Sequence, residues 1–269
     1  MYGHKCIDFL SKANVSKSNI NAMISKIKSA QHFGLNGITE TIRNMPEYKK
    51  GGTNPYVKNV KLPFPLCWFG WDHSPIQKNG VLIEDLGDRF KTTVFEGSST
   101  VFMPVLGMSN LINKTTGKFE GEIIVEIPEL MEFAQKELGE DFNRVGYESS
   151  CIGLGIVFFA LQILNCKNIG TYKIKAPKRL NKKRAKKNKQ PLFSYHVLEI
   201  KNKPGLKLET HCGTKKWQQR VHLCRGHFKT YTKENPLFGS IAGTYWWQPQ
   251  ARGNVKKGVI LKDYKVGVA

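Results

Sequence analysis

GVLIEDLGDRFKTTVFEG, residues 80–97, is the stretch that decides the fold. Two apolar runs, GVLIEDL and RFKTTVFEG, are rich in β-branched and aromatic residues and stand either side of Gly87. That pattern reads as two strands joined by a tight turn. STVFMPVLG (99–107) and FEGEIIVEI (119–127) repeat the texture downstream. Upstream, KLPFPLCWFGWD (61–72) is aromatic and punctuated by prolines, which suits an edge strand. Together these segments predict an antiparallel sheet.

Helices flank it. Residues 5–48 read as helical and polar, with Ile20, Ile24 and Ile27 forming a narrow apolar stripe. Pro128 suits a first helical position, and Glu129 and Glu132 favour the positive end of the dipole in PELMEFAQKELGED. Residues 147–166 form an apolar helix, with Ser149 or Ser150 as N-cap candidates. Its continuous apolar run, CIGLGIVFFALQILN, spans 151–165 and is interrupted by Gln162. That is short of the roughly 20 residues a bilayer demands, so a buried core helix is expected and no membrane partner. The fold class expected is α+β. Its parts are a helical N-terminal segment (1–48), a linker around 49–56, a neutral α+β body (57–166) and a basic strand-rich region (167–269). The last can share one core with the body.

Charge divides the chain more sharply than any motif. Residues 1–166 carry 17 Lys/Arg against 17 Asp/Glu, whereas residues 167–269 carry 25 against 4. The whole net charge of +21 therefore sits in the last 103 residues. Such asymmetry points to a polyanionic partner, because each neutralised phosphate releases a condensed counterion. Six scattered cysteines with no CxxC pair suit reduced thiols, and no export signal opens the chain, so a cytoplasmic location is expected.

The run KNIGTYKIKAPKRLNKKRAKKNKQ (167–190) holds eleven Lys/Arg and no acid. No apolar periodicity crosses 178–190, so the expectation is a mobile arm or an exposed helix. Its candidate phosphate contacts are Lys178, Arg179, Lys182, Lys183, Arg184, Lys186, Lys187 and Lys189. Further on, WQQRVHLC (217–224) separates at period two, which places Arg220, His222 and Cys224 on one face. Lys215, Lys216, Arg220, Arg225, Lys229 and Arg252 interleave with aromatics that include Trp246 and Trp247. Aromatics offer stacking surfaces to unpaired bases while the cations track the backbone. Trp246 and Trp247 are neighbours in GTYWWQ, so only one of them can face a core.

Chemistry is the rival to binding. Arg225 between His222 and His227, with His196 and Arg252 as additions, could serve as acid, base and charge stabiliser on a phosphodiester. His196 alternates with Leu192, Leu198 and Ile200, which equally suits a hydrogen-bonded core histidine. Zinc would draw on His211, Cys212, His222, Cys224 and His227, but their spacing matches no common module. A metal nuclease would have to borrow Glu84 or Asp85 from the neutral half. No metal and no cofactor is therefore expected.

KRLNKKRAKKNKQPLFSYHVLEI, then HLCRGHFKTYTKENPLFG and GTYWWQPQARGN, resemble a group of uncharacterised phage and prophage proteins. The shared elements are a basic LNxxRA run, a YHV strand, an HxxRGH turn and a closing WxPHxRG element. This chain departs at Gln250, where the pattern has histidine. The resemblance implies a phage or mobile-element origin and a bacterial cytoplasm, and it supplies no activity. The expected function is nucleic-acid binding, to DNA or RNA. The alternatives are a phosphodiester-cleaving nuclease and an inhibitor that binds a host protein.

Overall fold

The computed structural model describes residues 2–13, 17–43, 60–98, 102–200, 220–224, 226–237, 241–247, 250–252 and 254–259. The linker expected at 49–56 lies outside them. Backbone contacts divide the chain into two units. The first comprises Met1–Asn165 and Gly170–Glu199, the second Cys166–Ile169 and Ile200–Ala269.

Among the described residues, the first unit is built on a nine-stranded sheet. Its strands are β1 (Gln31–Gly34), β2 (Leu66–Asp72), β3 (Lys78–Asp85), β4 (Arg89–Gly97), β5 (Phe102–Pro104), β6 (Met108–Asn113), β7 (Phe119–Val125), β8 (Ile169–Ile174) and β9 (Tyr195–Ile200). They run in the order β7-β6-β4-β3-β2-β1-β9-β8, and β5 adds to β4. From β2 to β7 the pairing is antiparallel, as 80–97 implied. At β1 it turns parallel on both sides, to β2 and to β9. The sheet is thus mixed, within the expected α+β class.

β2 lies at the centre, between β1 and β3, rather than at an edge. The prolines that suggested an edge, Pro63 and Pro65, both precede the first paired residue, so they remove no ladder hydrogen bond. Five successive residues of β2, Cys67–Trp71, are buried, because helices cover both faces of the sheet.

One face carries α1 (Gly3–Leu10) and α2 (Lys17–Ser29). Cys6, Ile7, Leu10, Ile20, Met23 and Ile27 pack there against Trp68, Leu82, Phe95 and Phe102. Each side chain of that size contributes about 1.5–3 kcal/mol on full burial. The opposite face carries α3 (Asn36–Arg43) and the long α5 (Phe142–Leu164). Gly153 lets α5 approach closely, since a Cβ there would meet Val94 Cγ1 at 3.0 Å. Phe158 packs on Phe90 with the rings tilted and their centroids 5.9 Å apart.

Pro128 opens α4 (Pro128–Leu138) at its first turn, and Gly139 ends it with φ 53°. α5 starts earlier than expected, at Phe142, where Arg144 bonds Asp141 and Glu148. Ser149 and Ser150 therefore lie inside the helix, and Ser150 accepts from Asn110 instead of capping. At 23 residues α5 is long and apolar enough to cross a bilayer, yet 13 of its residues are buried.

Among its described residues the second unit holds a three-stranded and a two-stranded sheet. β10 (Arg220–Cys224) sits between β13 (Gln250–Arg252) and β14 (Asn254–Val259), and β11 (His227–Tyr231) pairs antiparallel with β12 (Gly243–Trp247).

Candidate nucleic-acid interface

The basic run does not stay loose. After β8 it forms α6, Lys178–Ala185, an eight-residue helix with no acid and five cations. A helix so short is marginal alone, and like charges three or four residues apart oppose it further. Polar ties supply what apolar periodicity does not. Asn181 Nδ2 donates to Leu192 O at 3.0 Å, and Leu192 N donates back to Asn181 Oδ1 at 2.8 Å. Arg184 Nε donates to Gln190 O at 2.6 Å, and Arg184 Nη2 reaches Asp8 Oδ2 at 2.8 Å. The other Asp8 oxygen accepts from Gln190 N at 2.8 Å. A single carboxylate on α1 thus fastens both the helix and the segment that leads from it to β9. Asn188 adopts φ 51° at the turn, a conformation asparagine tolerates better than most residues.

Those ties sort the helix by side. At about 100° per residue, Asn181 and Arg184 point towards their partners, while Lys178, Arg179, Lys182, Lys183 and Lys186 share an arc of roughly 140°. All five are exposed, as are Lys173, Lys175, Lys187 and Lys189. Among the described residues, Arg184 alone of the cations in 173–189 has a carboxylate partner. Arg184 is thus an anchor rather than an open phosphate contact.

His196 lies beside this platform in β9, and its ring stacks on Phe33 at 5.2 Å. Its Nδ1 is 3.3 Å from Thr171 Oγ1, and burial together with the Lys173 charge pulls its pKa down. The ring is thus half-buried and packed on its neighbours, outside the buried core that the alternation suggested. It belongs to the first unit, whereas His222, His227 and Arg252 belong to the second.

In the second unit the β10–β13 register sets His222 opposite Arg252, and Cys224 opposite Gln250. Arg220 pairs with Asn254 on the other side. His227 is the first residue of β11, in a different sheet from His222, and lies opposite Trp247 with the rings stacked 6.4 Å apart. Lys229 Nζ sits 5.7 Å from the Trp247 ring and 5.2 Å from that of Tyr231. One side of this ribbon thus presents His227, Lys229, Tyr231, Tyr245 and Trp247. The other packs Phe228 on Trp246 at 5.0 Å. Trp246 is 6% exposed, so it fills the ribbon's core and offers no stacking face. Asn168 holds the Trp246 backbone from both sides, at 2.7 and 2.9 Å. Lys215, Lys216, Arg225, His211 and Cys212 lie outside the described residues.

The carboxylates that a metal nuclease would borrow are already committed. Glu84 accepts from Lys26 at 3.0 Å, and Asp85 is paired with Lys114. Among the described residues no three His, Cys, Asp or Glu side chains converge. A second polar cluster closes the end of β2. Asp72 accepts from Tyr2, from Asn36 at 2.6 Å and from Lys78 at 2.5 Å. Every partner in it is satisfied, so it clasps α1 and α3 to the sheet.

Asp8 was not anticipated from the sequence, whereas Lys173 and Lys175 lie within the basic run 167–190 but not among its named phosphate contacts. Asp8 lies 176 residues from its partner and carries no local signal. Lys173 lies on β8 and Lys175 just after it, and both are exposed. The chain matches no family model, no curated protein and no solved structure.

Proposed function

We propose that the protein binds nucleic acid, using the β8–α6 platform as its phosphate-facing surface and the His227–Trp247 ribbon side as a stacking surface. The observation that carries this reading is the set of nine exposed cations in 173–189, none with a carboxylate partner among the described residues. Such a set leaves positive charge uncompensated until a polyanion arrives. The anchors at Asn181 and Arg184 hold the helix in place beforehand, so little ordering entropy is lost on binding. Trp247 and Tyr245 suit unpaired bases, which favours single-stranded over duplex substrates. A phage or mobile-element origin and a bacterial cytoplasm remain part of the proposal.

The test is retention on labelled single- and double-stranded DNA and RNA across salt. If the five cations of the α6 arc each meet a phosphate, affinity falls about 10²–10³-fold between roughly 50 and 200 mM salt. Absence of binding at the lower salt rejects the reading.

A nuclease is the second reading, because the β10–β13 register brings His222 opposite Arg252. It requires product from labelled RNA or DNA that disappears in His222→Ala with binding intact. Binding without product leaves the first reading alone.

A further inference from the structure

Among the described residues no strand continues the nine-stranded sheet beyond β7 or β8, and these two edges carry opposite charge. At one edge, β7 and the helices that follow it (residues 119–148) hold nine Asp/Glu and two Lys/Arg. At the other, β8 and α6 (173–189) hold ten Lys/Arg and no acid. Both edges also expose apolar side chains. On β7, Ile123 and Val125 are 42% and 45% exposed, and Phe133 and Tyr147 stand out further at 62% and 63%. Ile123 and Tyr147 line a cavity of about 320 Å³ together with Phe119 and Leu111. On the basic edge, Tyr172 (61%) and Leu180 (45%) protrude among the lysines.

An unpaired edge with exposed apolar side chains is a docking surface unless something blocks it. Like charge blocks the symmetrical solution, since two acidic edges repel. Contact within one copy is blocked by distance, because seven inter-strand steps at about 4.8 Å put the edges roughly 34 Å apart. A second copy satisfies both constraints and brings the complementary charge. We infer that the protein self-associates head to tail, the acidic edge of one copy receiving the basic edge of the next, with Leu180 and Tyr172 meeting the apolar β7 surface. Such an interface is heterologous, so it propagates into chains unless the rotation closes a ring. It draws on the same lysines as the proposed phosphate contacts, so a polyanion competes with it. The inference itself does not require nucleic acid to be the natural ligand.

Sedimentation velocity on the full chain, freed of nucleic acid, tests it. At about 50 mM salt the mass should exceed the 30.5 kDa monomer and return towards it as salt rises. Glu132→Lys/Glu137→Lys disables one edge and Lys182→Ala/Lys183→Ala the other. All four positions are exposed, and circular dichroism checks that each variant is folded. Each variant alone should be monomeric, while an equal mixture should form a one-to-one dimer and nothing larger, since one intact edge of each kind remains. A monomeric wild type at low salt overturns the inference. So does a mixture that stays monomeric, or an assembly that persists in either variant alone.

Discussion

α5 and α6 are both helices of the first unit, and they are held by opposite means. α5 buries 13 of 23 residues against the sheet, and its specificity comes from shape, as at Gly153 beneath Val94. α6 buries none of its residues and is positioned by Asn181, Arg184 and the distant Asp8. Apolar burial is indifferent to which charged groups lie nearby, so it builds the core. Polar anchoring positions a helix while leaving its other side free of obligations. A helix that must present cations to a partner is better fastened the second way, because an apolar stripe would consume the positions that carry charge.

The contrast can be broken most forcefully in the core. Phe158→Ala should cost about 3–5 kcal/mol and lower the unfolding transition of the whole first unit, read by denaturant melts. Equal and small losses at Phe158 and at α6 would erase the distinction.

Acid is the next lever. His32 is buried, its Nε2–H donates to Ile27 O at 3.0 Å, and its ring stacks on Phe193 at 4.3 Å. Burial pulls its pKa down to about 4, with Nδ1 lacking a hydrogen-bond partner. In the unfolded chain the ring titrates near ~6.5. Between these values the unfolded state binds the extra proton, so stability falls as pH drops from about 6.5 towards 4, by about 3 kcal/mol in total. Melts across that range should show the slope, and His32→Leu should flatten it. An unchanged slope in that variant assigns the effect elsewhere.

Asp8→Ala is the smallest and most local change. Removing the shared acceptor should cost about 1–3 kcal/mol, felt mainly in 178–190. Hydrogen exchange should accelerate there while the global transition barely moves. Protection left intact in α6 would mean that Asn181 suffices as the anchor.

What could be read in advance follows the same division. The strands around Gly87, the Pro128 start and the apolar α5 were legible because burial leaves a periodic signature. β1 was not, since QHFG is only four residues long and sits between two helical patterns. β6 (MSNLIN) has too little alternation to stand out beside its stronger neighbours. The ordering of α6 was invisible for a different reason. Asn181 within NKKRA and Asp8 within GHKCIDFL acquire meaning only when the fold brings their partners to them. The Trp246 and Trp247 split was legible, because adjacent strand residues must part company.

The opposed edges of the sheet also make the first unit an electric dipole of molecular length. In the field of a long polyanion such a body is turned before it touches, basic edge foremost, so that a larger share of encounters begins in a productive orientation. Orientation of that kind would show itself in the rate of capture, and in how steeply that rate declines with ionic strength, well before it shows in affinity.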